Sequence, residues 1–243
     1  MDKKIAIVTG GVRGIGRAIA DELSHNDYMT IICDIDEKAG KDINEKNIKN
    51  LKYLYCDVSS EKDIKNLIDK IMDDYGRIDV LVNNAGIIRR RKGEEIKIDD
   101  WDIVFKVNIR GPFIFCKYVS EIMKKQKTGK IVNISSIAGK VGDITSAPGY
   151  GPSKSALNGL TMTFARELAP YNVNVNAIAP HAIATDMSAE WSDEKRKRVL
   201  SEIPLNRLGQ PINVAKAVLF LISDGADFIT GEILDVNGGY LMD

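Results

Sequence analysis

Short β-branched runs alternate with longer amphipathic stretches along the whole chain, and no other feature constrains the fold as tightly. The runs are KIAIVT (4–9), MTIIC (29–33), LKYLYC (51–56), IDVLVN (78–83), KIVNIS (130–135), VNVNAI (173–178) and EILDV (232–236). Each is nearly continuous in apolar residues, as strands are when helices cover both sheet faces. Between them lie helical patterns. One is IGRAIADELSHN. Another is SEKDIKNLIDKIMDDYG, with apolar residues at 64, 67, 68, 71 and 72 behind a Ser-Glu start. A third pattern predicts one long helix from about Asp99 to Lys125. Such alternation predicts βαβ units and a parallel sheet. The 243 residues contain no linker, repeat or low-complexity segment. The expected fold class is therefore α/β, a single doubly wound domain over 1–243 with helices on both faces. The polar stretch at about 181–210, containing PHAIATDMSAEWSDEKRKR, is long for a simple connection. It is read as a substrate-lid insertion, with a plain surface helix as the alternative.

Composition excludes several function classes. Thirty-four basic side chains balance thirty-four acidic ones, so nothing points to nucleic acid as a partner. Cys33, Cys56 and Cys116 are odd in number and far apart, which fits a reducing compartment better than a disulfide framework. Two histidines and scattered cysteines give no metal-ligand spacing, and no metal is expected. No apolar run has membrane-spanning length, and Met1-Asp2-Lys3-Lys4 leads straight into a strand. No membrane association and no signal peptide are expected, and the location is read as cytoplasmic.

The segment TGGVRGIG (9–16) ends the first strand and opens the first helix. A phosphate-binding turn belongs there, because glycines let the backbone approach a pyrophosphate and the helix N-terminus offers free N–H groups. Gly10, Gly14 and Gly16 follow G-x-x-x-G-x-G rather than the usual G-x-G-x-x-G. Asp34 ends the second strand, where a carboxylate accepts from both adenosine ribose hydroxyls and repels a 2′-phosphate. That favours NAD(H). Arg13, inside the turn, could pair with the same phosphate and keeps NADP(H) possible.

In APGYGPSK, Tyr150 and Lys154 stand four apart, on one face of a helix. An ammonium beside a phenol favours the phenolate, which suggests proton chemistry. An ordinary helix start with Lys154 in solvent is the bland alternative. Pro152 suits a first helical turn, where its missing N–H costs little.

Taken together, the motifs make the chain similar to the short-chain dehydrogenase/reductase family over essentially its whole length. They are TGGVRGIG, CDV (56–58), NNAG (83–86), Asn108 in KVNIRG, NISSIAG (133–139), Tyr150-x-x-x-Lys154, NVNAIAP (174–180), TDM (185–187) and DVNGG (235–239). The resemblance implies a Rossmann-like domain with a seven-stranded parallel sheet. It also implies NAD(P)-dependent interconversion of a ketone and a secondary alcohol, usually in a homotetramer. By the same resemblance, Tyr150 is the acid/base, Lys154 lowers its pKa and holds the nicotinamide ribose, and Ser136 orients the substrate oxygen. Asn108 holds a water linking Lys154 to solvent. Asp57 and Val58 meet the adenine. Asn83, Ala85 and Gly86 line the cofactor's path, Ile15 and Pro180 border it, and Ile183 and Thr185 touch the carboxamide and diphosphate. IPLNRLGQP and ITGEILDVNGG look most like the 3-oxoacyl-carrier-protein reductases, which implies a small carbonyl substrate carried on acyl carrier protein. Ile-Arg-Arg after NNAG looks like the sugar-acid or polyol dehydrogenases. A non-catalytic NAD(H)-binding sensor is the alternative of another class.

Three features depart from the family pattern or stand outside it. Ser136 and Tyr150 lie fourteen positions apart, one more than is usual, which places an insertion in GDITSAPG. His181 follows Pro180 where the family commonly has glycine, and could touch substrate, carry a proton or pack on a neighbour. Arg89, Arg90, Arg91 and Lys92 follow the fourth strand, where ligands bind in such sheets; they suit a carboxylate, a phosphate or an acidic carrier, unless Glu94 and Glu95 balance them as a solvated loop.

Overall fold

The computed structural model describes residues 3–142, 148–185 and 191–242. Seven parallel strands form one sheet: β1 (Ile5–Thr9), β2 (Met29–Asp34), β3 (Leu51–Tyr55), β4 (Val80–Asn83), β5 (Gly129–Ile134), β6 (Val173–Pro180) and β7 (Ile233–Val236). Their spatial order is β3-β2-β1-β4-β5-β6-β7. Chain order reverses between β1 and β4, so the crevice at their carboxyl ends is the switch point where open α/β sheets hold ligands.

Alternation along each strand divides the core. Ile5 and Ile7 of β1 face one layer, with Ile64 and Ile71 of α3 (Glu61–Tyr75), Phe115 of α5 (Gly111–Gln126) and Leu168 of α7 (Tyr150–Leu168). Ala6 and Val8 face the other, with Ile19 and Leu23 of α1 (Gly14–His25) and Val214 and Val218 of α9 (Pro211–Ile222). Removing such residues from water, at roughly 1.5–3 kcal/mol for a fully buried Ile or Leu, is what holds the two layers to the sheet. Caps sharpen the helix starts. Ser60 accepts from Asp63 N at 3.3 Å ahead of α3, and Asp36 accepts from Ala39 N at 3.1 Å ahead of α2 (Glu37–Glu45).

The expected long helix from Asp99 to Lys125 is three pieces. It runs α4 (Ile98–Phe105), a π-helical turn over Lys106–Arg110, then α5. Widening one turn inserts a residue into the ladder, and such bulges gather at functional sites. Asn108 is at the centre of this one. Between β5 and α7 lies the short α6 (Ala138–Val141). Most of the one-residue insertion expected in GDITSAPG, residues 143–147, lies outside the described residues. So do residues 186–190 of the expected lid. Its described remainder carries α8 (Asp193–Ser201), which Ser192 caps by accepting from Lys195 N at 3.3 Å.

Candidate active site

A cleft of about 720 Å³ opens across the carboxyl ends of the strands. That is a size typical of small-molecule and cofactor sites. It runs from Asp34 and Asp57, after β2 and β3, past Gly10 and Gly86 to Pro180 and His181, after β6.

The glycine turn is shaped for close backbone approach. Gly10 has φ +63°, and a Cβ there would sit 2.9 Å from Ala85 Cα. A Cβ on Gly16 would lie 2.2 Å from the Gly10 carbonyl oxygen and 2.4 Å from Asn84 Nδ2. Arg13 occupies the N-cap of α1 without a side-chain cap bond, so the helix's first N–H groups receive no acceptor from it. Uncapped N–H groups beside a glycine turn fit a dinucleotide pyrophosphate. Arg13, Gly14, Ile15, Asp57, Val58, Ala85, Ile183 and Thr185 also line the cleft. Asp34 is held at its rim, accepting from Val12 N at 3.4 Å and Asp36 N at 3.2 Å. Arg13 leans on Asp36 at 3.8 Å with its side chain 72% exposed, a pairing that water renders weak.

Asn83 is a correction. Its side chain turns away from the cleft into the core, donating to Asn133 Oδ1 at 2.8 Å, and Asn133 in turn donates to Thr161 Oγ1 at 2.9 Å. Successive strand residues face opposite sides, so Asn84 takes the cleft side instead. Asn84 Nδ2 donates to the carbonyls of Thr9 and Gly10, both at 2.9 Å, and Thr9 Oγ1 accepts from the N–H groups of Asn84 and Ala85, also at 2.9 Å. This lattice ties the glycine turn to the end of β4. Thr9 and Asn84 are structural parts of the site that local motifs understate; the doubled Asn-Asn was their only trace.

At the cleft's centre, Tyr150 opens α7 and Lys154 follows one turn later. Lys154 is 4% exposed and donates to the Ile134 carbonyl at 2.7 Å. Its Nζ lies 5.8 Å from the centre of the Tyr150 ring. Burial pushes the ammonium's pKa down to about 8. Lys154 is therefore not a solvated side chain at a helix start. It is a desolvated cation aimed under a phenol, the arrangement that favours phenolate.

Asn108 backs this pair. Ile87 N donates to its Oδ1 at 2.8 Å, and its Nδ2 donates to the Ile87 carbonyl at 2.9 Å and to Ser153 Oγ at 3.1 Å. Ser153 Oγ donates on to the Tyr150 carbonyl at 2.7 Å. The π turn thus braces both the β4 exit and the first turn of α7. Ser135 and Ser136 have separate tasks. Ser135 Oγ donates to Asn158 Oδ1 at 2.6 Å and to the Lys154 carbonyl at 3.3 Å, fastening β5 to α7. Ser136 borders the cleft, and its Oγ accepts from Ala138 N at 3.2 Å, which leaves its hydroxyl proton for another acceptor.

His181 stacks on Tyr240 with ring centres 4.1 Å apart, and both rings line the cleft. Of the basic run, Arg89 pairs with Asp100 at 3.1 Å and Arg91 donates to the Arg90 carbonyl at 2.9 Å. Arg90 lines the cleft. Among the described residues no cluster of His, Cys, Asp and Glu could hold a metal ion.

Fold and site together define a nicotinamide-dependent oxidoreductase. The chain belongs to the short-chain dehydrogenase/reductase family and acts on CH–OH or carbonyl groups with NAD(P). A family model described as enoyl-(acyl carrier protein) reductase matches residues 10–241. Among relatives, the chain is 42% identical to the 3-oxoacyl-[acyl-carrier-protein] reductase FabG of Aquifex aeolicus, covering 97% of this chain and 96% of that one. It is 39% identical to the FabG of Haemophilus influenzae over 100% of both chains, and 38% identical to that of Escherichia coli over 98% of both. The crystal structure of gox2181 superimposes with a TM-score of 0.92 at 31% identity, covering 99% of this chain and 96% of the other.

Proposed function

We propose that the protein reduces the ketone of a 3-oxoacyl thioester carried on acyl carrier protein, with NADH as the hydride donor. The observation that carries the ketone reading is Lys154, buried and fixed to the Ile134 carbonyl beneath the Tyr150 ring. When bound, the nicotinamide supplies the hydride. Tyr150 gives its phenol proton to the carbonyl oxygen as that oxygen gains charge, and the Lys154 ammonium stabilises the phenolate left behind. Ser136 donates its hydroxyl to the same oxygen and orients it. Asn108 holds Lys154's surroundings rigid and leads protons towards solvent. The full-length relatives, all named for the 3-oxoacyl thioester reaction, support the substrate.

For the cofactor, Asp34 supports NAD(H) over NADP(H). Its carboxylate is anchored by two backbone N–H groups at the end of β2, where a 2′-phosphate would meet like charge. Asp34→Ala is expected to raise NADPH use relative to NADH; a wild-type protein that already prefers NADPH would refute the assignment. We further infer that α8 and its flanks act as a lid over the substrate end, and that the enzyme works in the cytoplasm. Among the described residues no helix is long and apolar enough to cross a membrane.

The decisive assay is NADH oxidation with acetoacetyl-acyl carrier protein, crotonyl-acyl carrier protein and keto sugar acids, run beside Tyr150→Phe. Turnover of the acetoacetyl thioester, lost in the variant, is the expected result. Reduction of the crotonyl double bond alone would assign the enoyl reaction, and exclusive use of keto acids the sugar-acid one. NADH binding with no turnover of any substrate would leave only a sensor.

A further inference from the structure

The cleft's charged groups divide between its two ends. Arg13, Asp34 and Asp57 stand at the β2–β3 end, against the adenosine half of a dinucleotide. At the other end stand Arg90, Arg198 and Glu202. Sheet order separates the two sets, because α8 sits over β6 and β7. Just beyond it, Leu205 N donates to the Gly238 carbonyl at 3.2 Å, behind β7. The loop carrying Arg90 approaches from the tyrosine's side, where a Cβ on Gly93 would meet Pro148 at 3.9 Å.

Trp191, Lys195, Arg198 and Glu202 recur at four, three and four residues, which is one helical face. Trp191, Arg198 and Glu202 of this face line the cleft, and Lys195 Nζ lies 5.3 Å from the Trp191 ring centre. The Trp191 Nε1–H is buried and has no acceptor among the described residues. A buried donor left unmet costs about 1–3 kcal/mol, so an oxygen arriving with a ligand would be favoured there. The glycine turn and the α1 N-terminus already suit the cofactor's phosphates. Two guanidinium groups facing one carboxylate at the substrate end therefore leave an excess of positive charge with no cofactor task.

We propose that Arg90 and Arg198, with Trp191 Nε1–H, form a subsite for an anionic oxygen group of the substrate, a carboxylate or a phosphate. The proposal rests on the ketone reading of the Tyr150 site and adds to it what the rest of the substrate must carry. A carboxylate would belong to a short oxo acid; a phosphate would belong to the arm that carries a thioester.

The test compares kcat/KM on three ketones: acetoacetyl-N-acetylcysteamine, which is neutral, acetoacetyl-pantetheine phosphate, and acetoacetate. The wild-type protein is expected to prefer one of the two anionic substrates to the neutral one. Arg198→Gln and Arg90→Gln should each lower that preference about 10- to 100-fold, mostly through KM, as loss of a charge-assisted hydrogen bond does. Glu202→Gln should move it the opposite way, which a merely damaged helix would not do. Which anion is preferred identifies the source. A wild-type preference near one, or a preference unchanged in both arginine variants, overturns the subsite and leaves ketone reduction standing. Failure of the wild-type protein to reduce any of the three overturns the ketone reading itself.

Discussion

Lys154 carries its charge where the protein solvates charge poorly. Its pKa falls from the ordinary 10.5 to about 8 because burial penalises the ammonium. Below about pH 8 both folded and unfolded chains hold the proton, and the folded state bears the full desolvation penalty, about 3 kcal/mol. Between about 8 and 10.5 the unfolded chain binds more protons, so this penalty fades as pH rises. Lys154→Met should therefore stabilise the ligand-free protein at neutral pH while abolishing turnover. The gain is expected near 1–2 kcal/mol, since the Ile134 carbonyl loses its donor. Urea midpoints at about pH 7 and pH 10 check this, and the advantage should shrink at the higher pH. A destabilised variant at neutral pH would contradict it. The same titration bears on activity, and reduction should weaken as pH rises through about 8, with apparent values that belong to the Tyr150–Lys154 pair.

At the scale of elements, the site is a set of braces between strand ends. The glycine turn is held to β4 by Asn84 and Thr9, and α7 is held to the π turn by Asn108 and Ser153. A Cβ on Gly16 would collide with the Gly10 carbonyl at 2.2 Å, backbone that cannot move without shifting β1. Gly16→Ala is expected to cost about 1–3 kcal/mol and to weaken NADH binding, read by thermal melts and by fluorescence titration. Asn84→Ala removes two turn bonds without adding bulk. It should raise the Kd for NADH with a smaller loss of stability. The Asn83–Asn133–Thr161 chain behaves differently, because it lies inside the sheet–helix layer. Asn133→Ala should cost about 1–3 kcal/mol by leaving buried partners unmet, and should lower stability with kcat little changed.

For the whole molecule, assembly follows from surfaces the single chain leaves open. Phe113 on α5 and Met162 on α7 are nearly half exposed, and Phe228 and Met242 near the β7 edge are largely exposed. Apolar side chains gathered on paired helices and at a sheet edge mark association surfaces. We propose a homotetramer built on these two faces. Light scattering at micromolar protein should report four chains; a monomer would reject the proposal. Phe113→Arg should then release smaller species while leaving the strand order and the cleft of each chain intact.

The order of strands and helices, the place of the glycine turn and the Tyr-x-x-x-Lys pair were all legible from sequence, because each is a local pattern. Hydrophobic period specifies element type, and glycine or a spacing of four specifies a turn or a helix face. Tertiary structure alone decided the contacts between distant segments. It showed that the expected long helix widens into a π turn at Asn108, where Ile87 and Ser153 draw on the side chain from two directions. It turned Asn83 inward and Asn84 outward, because register on β4 sets which neighbour faces the cleft. It placed Arg90 of the basic run in the cleft, with Arg89 and Arg91 engaged locally, and laid His181 on Tyr240 of the C-terminal segment. Lys154's depressed pKa belongs with these. Four residues of spacing place it beneath Tyr150, but only the packing of β5 and α7 around it removes the water that would keep its charge ordinary.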